Sequence, residues 1–155
     1  MRFPCFAEGK MEEITPITLL RERAARTLNT INTYLASFNG DGILVLFEDN
    51  TDKSKYLKRY SDFSLKLNDS LNYLEDSIVK ISRLIEEYTK TKTIEETAEL
   101  YSYFESGERF LLSVAKFIDD NERNFKSDAF NPAQTLGSTR ELKSAAEILI
   151  KSING

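Results

Sequence analysis

Side chains able to do chemistry are scarce in this chain. Histidine is absent, and Cys5 is the only cysteine among 155 residues. A tetrahedral zinc site draws on several nitrogen or sulfur ligands, so one thiol without an imidazole cannot build one. Ser-His-Asp and Cys-His catalysis are excluded within the chain for the same reason, as is the Glu-x-x-His ligand pair of di-iron bundles. Carboxylates remain. Glu95, Glu96 and Glu99 form one cluster, and Asp119, Asp120 and Glu122 another. Such oxygen donors suit a hard cation or, in pairs, acid-base work. Both clusters fall at expected helix ends, where the backbone dipole or basic neighbours account for them, so they read as solvated faces. Gly40-Asp41-Gly42 matches neither the P-loop nor the EF-hand spacing. The chain is therefore expected to be no enzyme, with no catalytic, cofactor-binding or metal-binding residues.

Charge and hydropathy narrow the partners. The net charge of −4 and the pI near 5.1 give a general nucleic-acid role no electrostatic support. No apolar run approaches the roughly 18–20 residues of a membrane span, and the first ten residues lack a signal-peptide core. Met1-Arg2-Phe3-Pro4-Cys5-Phe6 is not a lipobox, a myristoylation site or a prenylation site. Cys5 reads as a cytosolic thiol, with lipidation or intermolecular pairing as the sharper alternative. A cytoplasmic protein is expected.

The elements that must position everything else lie between Leu57 and Phe125. Leu67, Leu71, Leu74, Ile78, Ile81, Ile85 and Tyr88 step by four and three. Leu100, Phe104, Gly107, Leu111, Val114, Ile118, Asn121 and Phe125 repeat the rhythm. Such periodicity marks two amphipathic helices, at about 53–89 and 94–126, folded into an antiparallel hairpin. Both seams are wider than a two-stranded coiled coil needs. Tyr56, Phe63 and Leu84 flank the first, with Ser70 and Ser77 in phase; Tyr103, Phe110 and Phe117 flank the second. Further helices must cover them. The expected fold is all-α, an antiparallel bundle of about four helices forming a single domain over 1–155.

Taken in order, residues 1–13 read as a loose N-terminal leader, in which Met11 is an alternative start. Thr15 and Pro16 suit the cap and first position of a helix. Ala24, Leu28, Ile31, Leu35 and Phe38 give that helix its stripe, which should close at Asn39-Gly40. Ile43-Leu44-Val45-Leu46-Phe47 then breaks the pattern. It reads as a short strand or buried connector that packs onto the bundle, extends a helix or meets a partner protein. Thr51 or Asp52 should cap the second helix. Thr93 and Glu96 form a capping box after a turn at Lys90-Thr91-Lys92.

That turn sets Gly107 opposite Leu74 or Glu75, a close helix approach. It also brings Lys55, Lys58 and Arg59 across from Asp119, Asp120 and Glu122. Ser64 and Asn121 interrupt the seams, either fixing register or lining a pocket. Ser138-Thr139-Arg140-Glu141 is a second capping box, preceded by one short turn at Asn131-Pro132. Leu142, Ala146, Leu149 and Ile153 form the last seam, with Ala145 and Ile148 beside it.

Lys58-Arg59-Tyr60-Ser61-Asp62-Phe63 resembles the Arg-Tyr-Ser-Asp-Phe segment of sorting-nexin PX domains. The resemblance implies that Arg59 would hold a phosphoinositide phosphate. It spans about six residues, and the proline-rich loop expected downstream is missing, because no proline occurs between Pro16 and Pro132. The segment itself reads as helix, with Tyr60 on the seam.

Two functions follow as expectations. The first is a non-enzymatic protein–protein interaction module, an adaptor, regulator or assembly subunit, with Ile43, Leu44, Val45, Leu46 and Phe47 as partner contacts and self-association included. The second is a peripheral membrane or phosphoinositide-binding helical module, with Lys55, Lys58 and Arg59 meeting anionic lipid. Neither needs a cofactor.

Overall fold

A computed structural model describes residues 5–47, 53–91 and 93–154. For 5–15, 39–47 and Glu96 it describes the backbone alone. The order is α1 (Cys5–Phe47), α2 (Lys53–Thr91), α3 (Ile94–Lys126) and α4 (Pro132–Asn154). Packing runs α1 on α2, α2 on α3, α3 on α4, and α4 back on α1. The result is an up-down-up-down four-helix bundle, in which short connections make successive helices antiparallel neighbours. No strand occurs among the described residues.

The hairpin has the expected bounds to within two residues, and Thr93 stands at the N-cap position of α3, its backbone carbonyl accepting the Thr97 amide at 3.2 Å. The Glu96 half of that capping box involves a side chain outside the described ones, as do the proposed caps Thr51 and Asp52 outside the described residues. The seams need one adjustment. On α3 the flank residues Tyr103, Phe110 and Phe117 are buried, whereas Phe104, Leu111 and Ile118 are only partly so. The bundle axis lies on that side because α3 must face both α2 and α4.

Three boundaries differ from expectation. Helix α1 begins before Pro16, which lies inside it. Proline has no amide to offer the carbonyl four residues back, yet its buried ring holds a place in the core. The expected leader over 1–13 is thus helical backbone from Cys5 onward. Helix α1 also runs past Gly40 to Phe47. No described glycine has a positive φ, so Gly40 does not adopt the left-handed geometry that ends a helix. Residues 43–47 therefore extend the helix and are not a strand.

The third difference is at α4. Asn131 caps it, its Oδ1 accepting the Ala133 amide at 3.0 Å, with Pro132 as first residue. Ser138 and Thr139 are mid-helix and donate back to the Thr135 carbonyl at 3.1 and 2.7 Å. Hydroxyls that cap in one context bond the preceding turn in another.

The core is chemically uneven along the bundle axis. At the end holding the α3–α4 turn, aromatic rings link the helices. Tyr34 of α1 stacks on Phe63 of α2 with centroids 4.2 Å apart, and Phe63 meets Phe117 of α3 edge-on at 5.8 Å. Tyr60 contacts Phe125, which stacks on Phe130 at 5.0 Å. The opposite end is mainly aliphatic, with Leu20, Leu74, Ile81, Leu84, Leu149 and Ile153 buried beside Tyr103. Aromatic pairs favour offset or edge-to-face geometry and add about 0.5–1.5 kcal/mol each beyond their buried area.

Candidate functional site

Two clefts flank the aromatic end. The larger, about 680 Å³, lies between α3 and α4. Asn121 and Asn124 of α3, Ser127 and Ala129 of the turn, and Gln134, Gly137 and Ser138 of α4 line it. Lys116, Asp120, Arg123 and Glu141 complete it. Helix α3 delivers these residues because Asn121 and Asn124 occupy inward positions one turn apart, while the charged residues stand on the flank beside α4.

The two asparagines behave differently. Asn124 Nδ2 donates to the Asn131 carbonyl at 2.8 Å and to Thr135 Oγ1 at 3.1 Å, and Oδ1 accepts the Asn131 amide at 3.0 Å. That side chain pins the turn to α3 and is satisfied at both ends. Asn121 is 1 % exposed. Its Nδ2 donates to the Phe117 carbonyl at 2.8 Å and to Ser138 Oγ at 2.9 Å. Its Oδ1 has no partner. The network sets the amide's orientation, since the Phe117 carbonyl demands a donor and the Ser138 hydroxyl is spent on Thr135.

Charges around this cleft are paired. Lys116 Nζ lies 3.3 Å from both Glu141 and Asp120, and its hydrogen bonds to Glu141 first and Asp120 second raise its pKa. Arg123 reaches Asp119 at 2.8 Å.

The smaller cleft, about 300 Å³, lies between α1 and α2. Asn29, Thr30, Thr33, Tyr34 and Ser37 face Arg59, Asp62, Phe63 and Lys66 across it. Thr30, Thr33 and Ser37 donate to carbonyls of their own helix, leaving only acceptor lone pairs outward. Burial raises the Tyr34 pKa above the usual phenol range, and its Oη has no partner. Burial likewise pushes Tyr60 up to about 12, with Glu122 adding to the effect. Both phenols are neutral at physiological pH.

The structure separates the three expected lipid contacts. Arg59 turns toward α1 and lines this cleft, while Lys55 and Lys58 are exposed. The expected facing of these cations onto α3 is corrected for Arg59, and Asp119 and Asp120 pair with cations of their own helix. The Arg-Tyr-Ser-Asp-Phe segment is helical throughout, with Tyr60 and Phe63 in the core. The five partner-contact residues Ile43, Leu44, Val45, Leu46 and Phe47 end α1, and their side chains lie outside the described ones.

The acidic clusters have local explanations too. Glu99 Oε1 accepts the Tyr103 hydroxyl at 2.8 Å. Among the described residues no three His, Cys, Asp or Glu side chains converge on a common point, and no helix is long and apolar enough to cross a membrane.

Two arginines that the sequence places off the first stripe turn out to be cross-bundle ties. Arg23 Nη1 reaches the Tyr73 carbonyl at 2.8 Å, Ser77 Oγ at 2.6 Å and Asp76 at 3.2 Å, while its guanidinium covers the Tyr73 ring. Lys80 first and Arg23 second hold the Asp76 carboxyl below its ordinary pKa. Arg21 Nε donates to the Ile153 carbonyl of α4 at 2.9 Å. The only hint in the sequence is the serine at 77 in phase with a buried flank.

The architecture defines an all-α four-helix bundle. Comparison of the chain with protein-family models, curated proteins and solved structures gives no match.

Proposed function

We propose that this protein is a non-enzymatic protein–protein interaction module that docks a partner on the outer face of its α2–α3 hairpin. One observation carries the reading. Of the eight large apolar side chains exposed among the described residues, seven belong to α2 or α3. Ile94, Tyr101 and Leu112 are 85 %, 50 % and 70 % exposed. Their separations of seven and eleven residues are near whole numbers of helical turns, so they share one outward stripe. Ile94 and Tyr101 also border a hollow of about 270 Å³ completed by Thr89, Thr97 and Ala98. Single exposed apolar residues need no explanation, but an aligned row at one hairpin suits a helix-in-groove or helix-on-helix contact.

Photo-crosslinking in the native cell tests this. A benzophenone side chain at position 94 or 112 should give discrete adducts, self-adducts included. The same group at Ile148, 66 % exposed on α4, should give none. A probe at Leu44 examines the end of α1 in the same experiment. Circular dichroism verifies the fold of each variant. Indistinguishable adducts from 112 and 148, or none from 94 and 112, would remove the hairpin as the docking face.

A further inference from the structure

We infer that the occupant of the hairpin face is a second copy of this chain, its α3 lying antiparallel on the first so that Leu112 of each copy enters the hollow beside Ile94 of the other. The inference rests on the hairpin-face reading above and names the partner of that face. A knob and a matching hole on one surface carry it.

The hole is made by Ile94, Thr97, Ala98 and Tyr101, with Thr89 of α2 closing one side. Four helix positions at i, i+3, i+4 and i+7 are the set that receives one side chain of a facing helix in knobs-into-holes packing. The two hydroxyls are spent at home. Thr89 donates to the Ile85 carbonyl at 2.7 Å and Thr97 to the Thr93 carbonyl at 3.0 Å. Neither is left to donate to an occupant, so a hollow walled by Ile94, Ala98 and the Tyr101 ring takes an apolar side chain. The knob is Leu112, 70 % exposed and on the same outward line as Ile94.

One symmetry axis exchanges the two. Ala98, in the middle of the hole, and Leu112 are roughly 21 Å apart along the helix, from a rise of about 1.5 Å per residue. A two-fold axis midway, at Glu105, lays each knob on the other copy's hole and closes the pair as an isologous dimer. Charge at the axis fits. Glu105 and Arg109 are exposed and only loosely paired, at 4.0 Å. The axis brings the two Glu105 carboxylates together. Arg109 of each copy, one turn along, then stands between the other copy's Glu105 and its Tyr101 ring, where a guanidinium is attracted to both. Two acids and two bases meet, so no net charge is buried. The contact covers about five helical turns, small for a specific interface, and reversible association is expected.

Cysteine trapping of the full chain in a Cys5→Ser background tests the geometry. Ala98→Cys and Leu112→Cys are made as separate variants and mixed under mild oxidation. The mixture should give at least tenfold more disulfide-linked dimer than either variant alone. Like positions lie roughly 21 Å apart across the axis, far beyond the span of about 7 Å that a disulfide bridges. Glu105→Cys, beside the axis, should link to itself. Sedimentation equilibrium of the unaltered chain should show a reversible dimer, and Leu112→Asp should raise its dissociation constant at least tenfold, with circular dichroism showing the helices intact. Should that variant unfold, Leu112→Ser replaces it with the same expected direction.

Linking of Leu112→Cys alone as readily as the mixture would overturn the antiparallel pairing. Association unchanged by the substitution at 112 would place the contact elsewhere and overturn it too. A chain that stays monomeric and links in no arm would end the self-association. That last result leaves the hairpin face standing if benzophenone at 94 or 112 still captures a different protein, whereas no adducts of any kind would remove both readings.

Discussion

Against α2, helix α3 comes so close at Gly107 that an added Cβ would lie 2.7 Å from Ile78 Cδ1 and 2.8 Å from Cγ1. Against α4, the same helix leaves a cleft of about 680 Å³ in front of Gly137, where an added Cβ would touch nothing. Both glycines sit inside helices, and both carry the same intrinsic penalty. At 107 the penalty is offset by a dry, tight helix crossing. At 137 nothing in the packing offsets it. One residue type thus marks a structural necessity on one flank of α3 and an opening on the other. Substitutions at the two flanks should separate accordingly.

Gly107→Leu should have the largest effect. Ile78 is buried, and a β-branched side chain in a helix has little χ1 freedom with which to retreat. Its Cγ1 cannot move aside without changing rotamer, so the helices must part. Overpacking of this severity costs about 3 kcal/mol. For a chain of this size that is a fall of roughly 10 °C in melting temperature. Calorimetry measures it. A leucine variant as stable as the parent would show that the crossing is not tight.

The cleft side offers a second contrast between its two asparagines. Asn124→Ala strands the Asn131 amide, leaves the Asn131 carbonyl with the Gln134 amide alone, and unpins the α3–α4 turn. The expected loss is about 2 kcal/mol, from the stranded amide and the lost bonds to the Asn131 carbonyl and the Thr135 hydroxyl. Asn121→Leu removes an orphaned oxygen along with two bonds whose partners are used elsewhere, so the change should stay within about 1 kcal/mol of zero. Urea midpoints at unchanged slope give both values. Equal losses would mean that Asn121 is as structural as Asn124.

The tight flank was easier to read from sequence than the open one. The heptad residues Leu67, Leu71, Leu74, Ile78, Ile81 and Ile85 are all buried, as periodicity requires. The glycine on the α3 seam signals close approach without structural help. The expected partner, Leu74 or Glu75, is one turn away from the actual Ile78, because a turn located to within a residue or two fixes register no better. Asn121 was visible as a polar break in an apolar seam. Gly137 was not, since a reading that starts α4 at Ser138 leaves it in a loop. The cleft depends on how far apart α3 and α4 stand at one end, which no local pattern encodes. Likewise Arg21 and Arg23 fall off the first apolar stripe in the sequence, although their long stems carry their heads to neighbouring helices.

The comparison can be drawn finest with the same small substitution at both sites. Gly107→Ala regains helix propensity of about 0.5–1 kcal/mol but presses a methyl into Ile78, for a net loss near 1 kcal/mol. Paired with Ile78→Ala, which makes room, its cost should shrink, so that the double variant loses less than the two singles added together. Gly137→Ala meets no such obstacle. It should raise stability by roughly 0.5–1 kcal/mol, because alanine restricts the unfolded chain and forfeits nothing in the folded one. Opposite signs for one substitution at two positions on either side of α3, read from urea midpoints, are the outcome the geometry requires. Destabilisation at 137 would mean that its space is already filled in solution, and the case for an open α4 wall would fail with it.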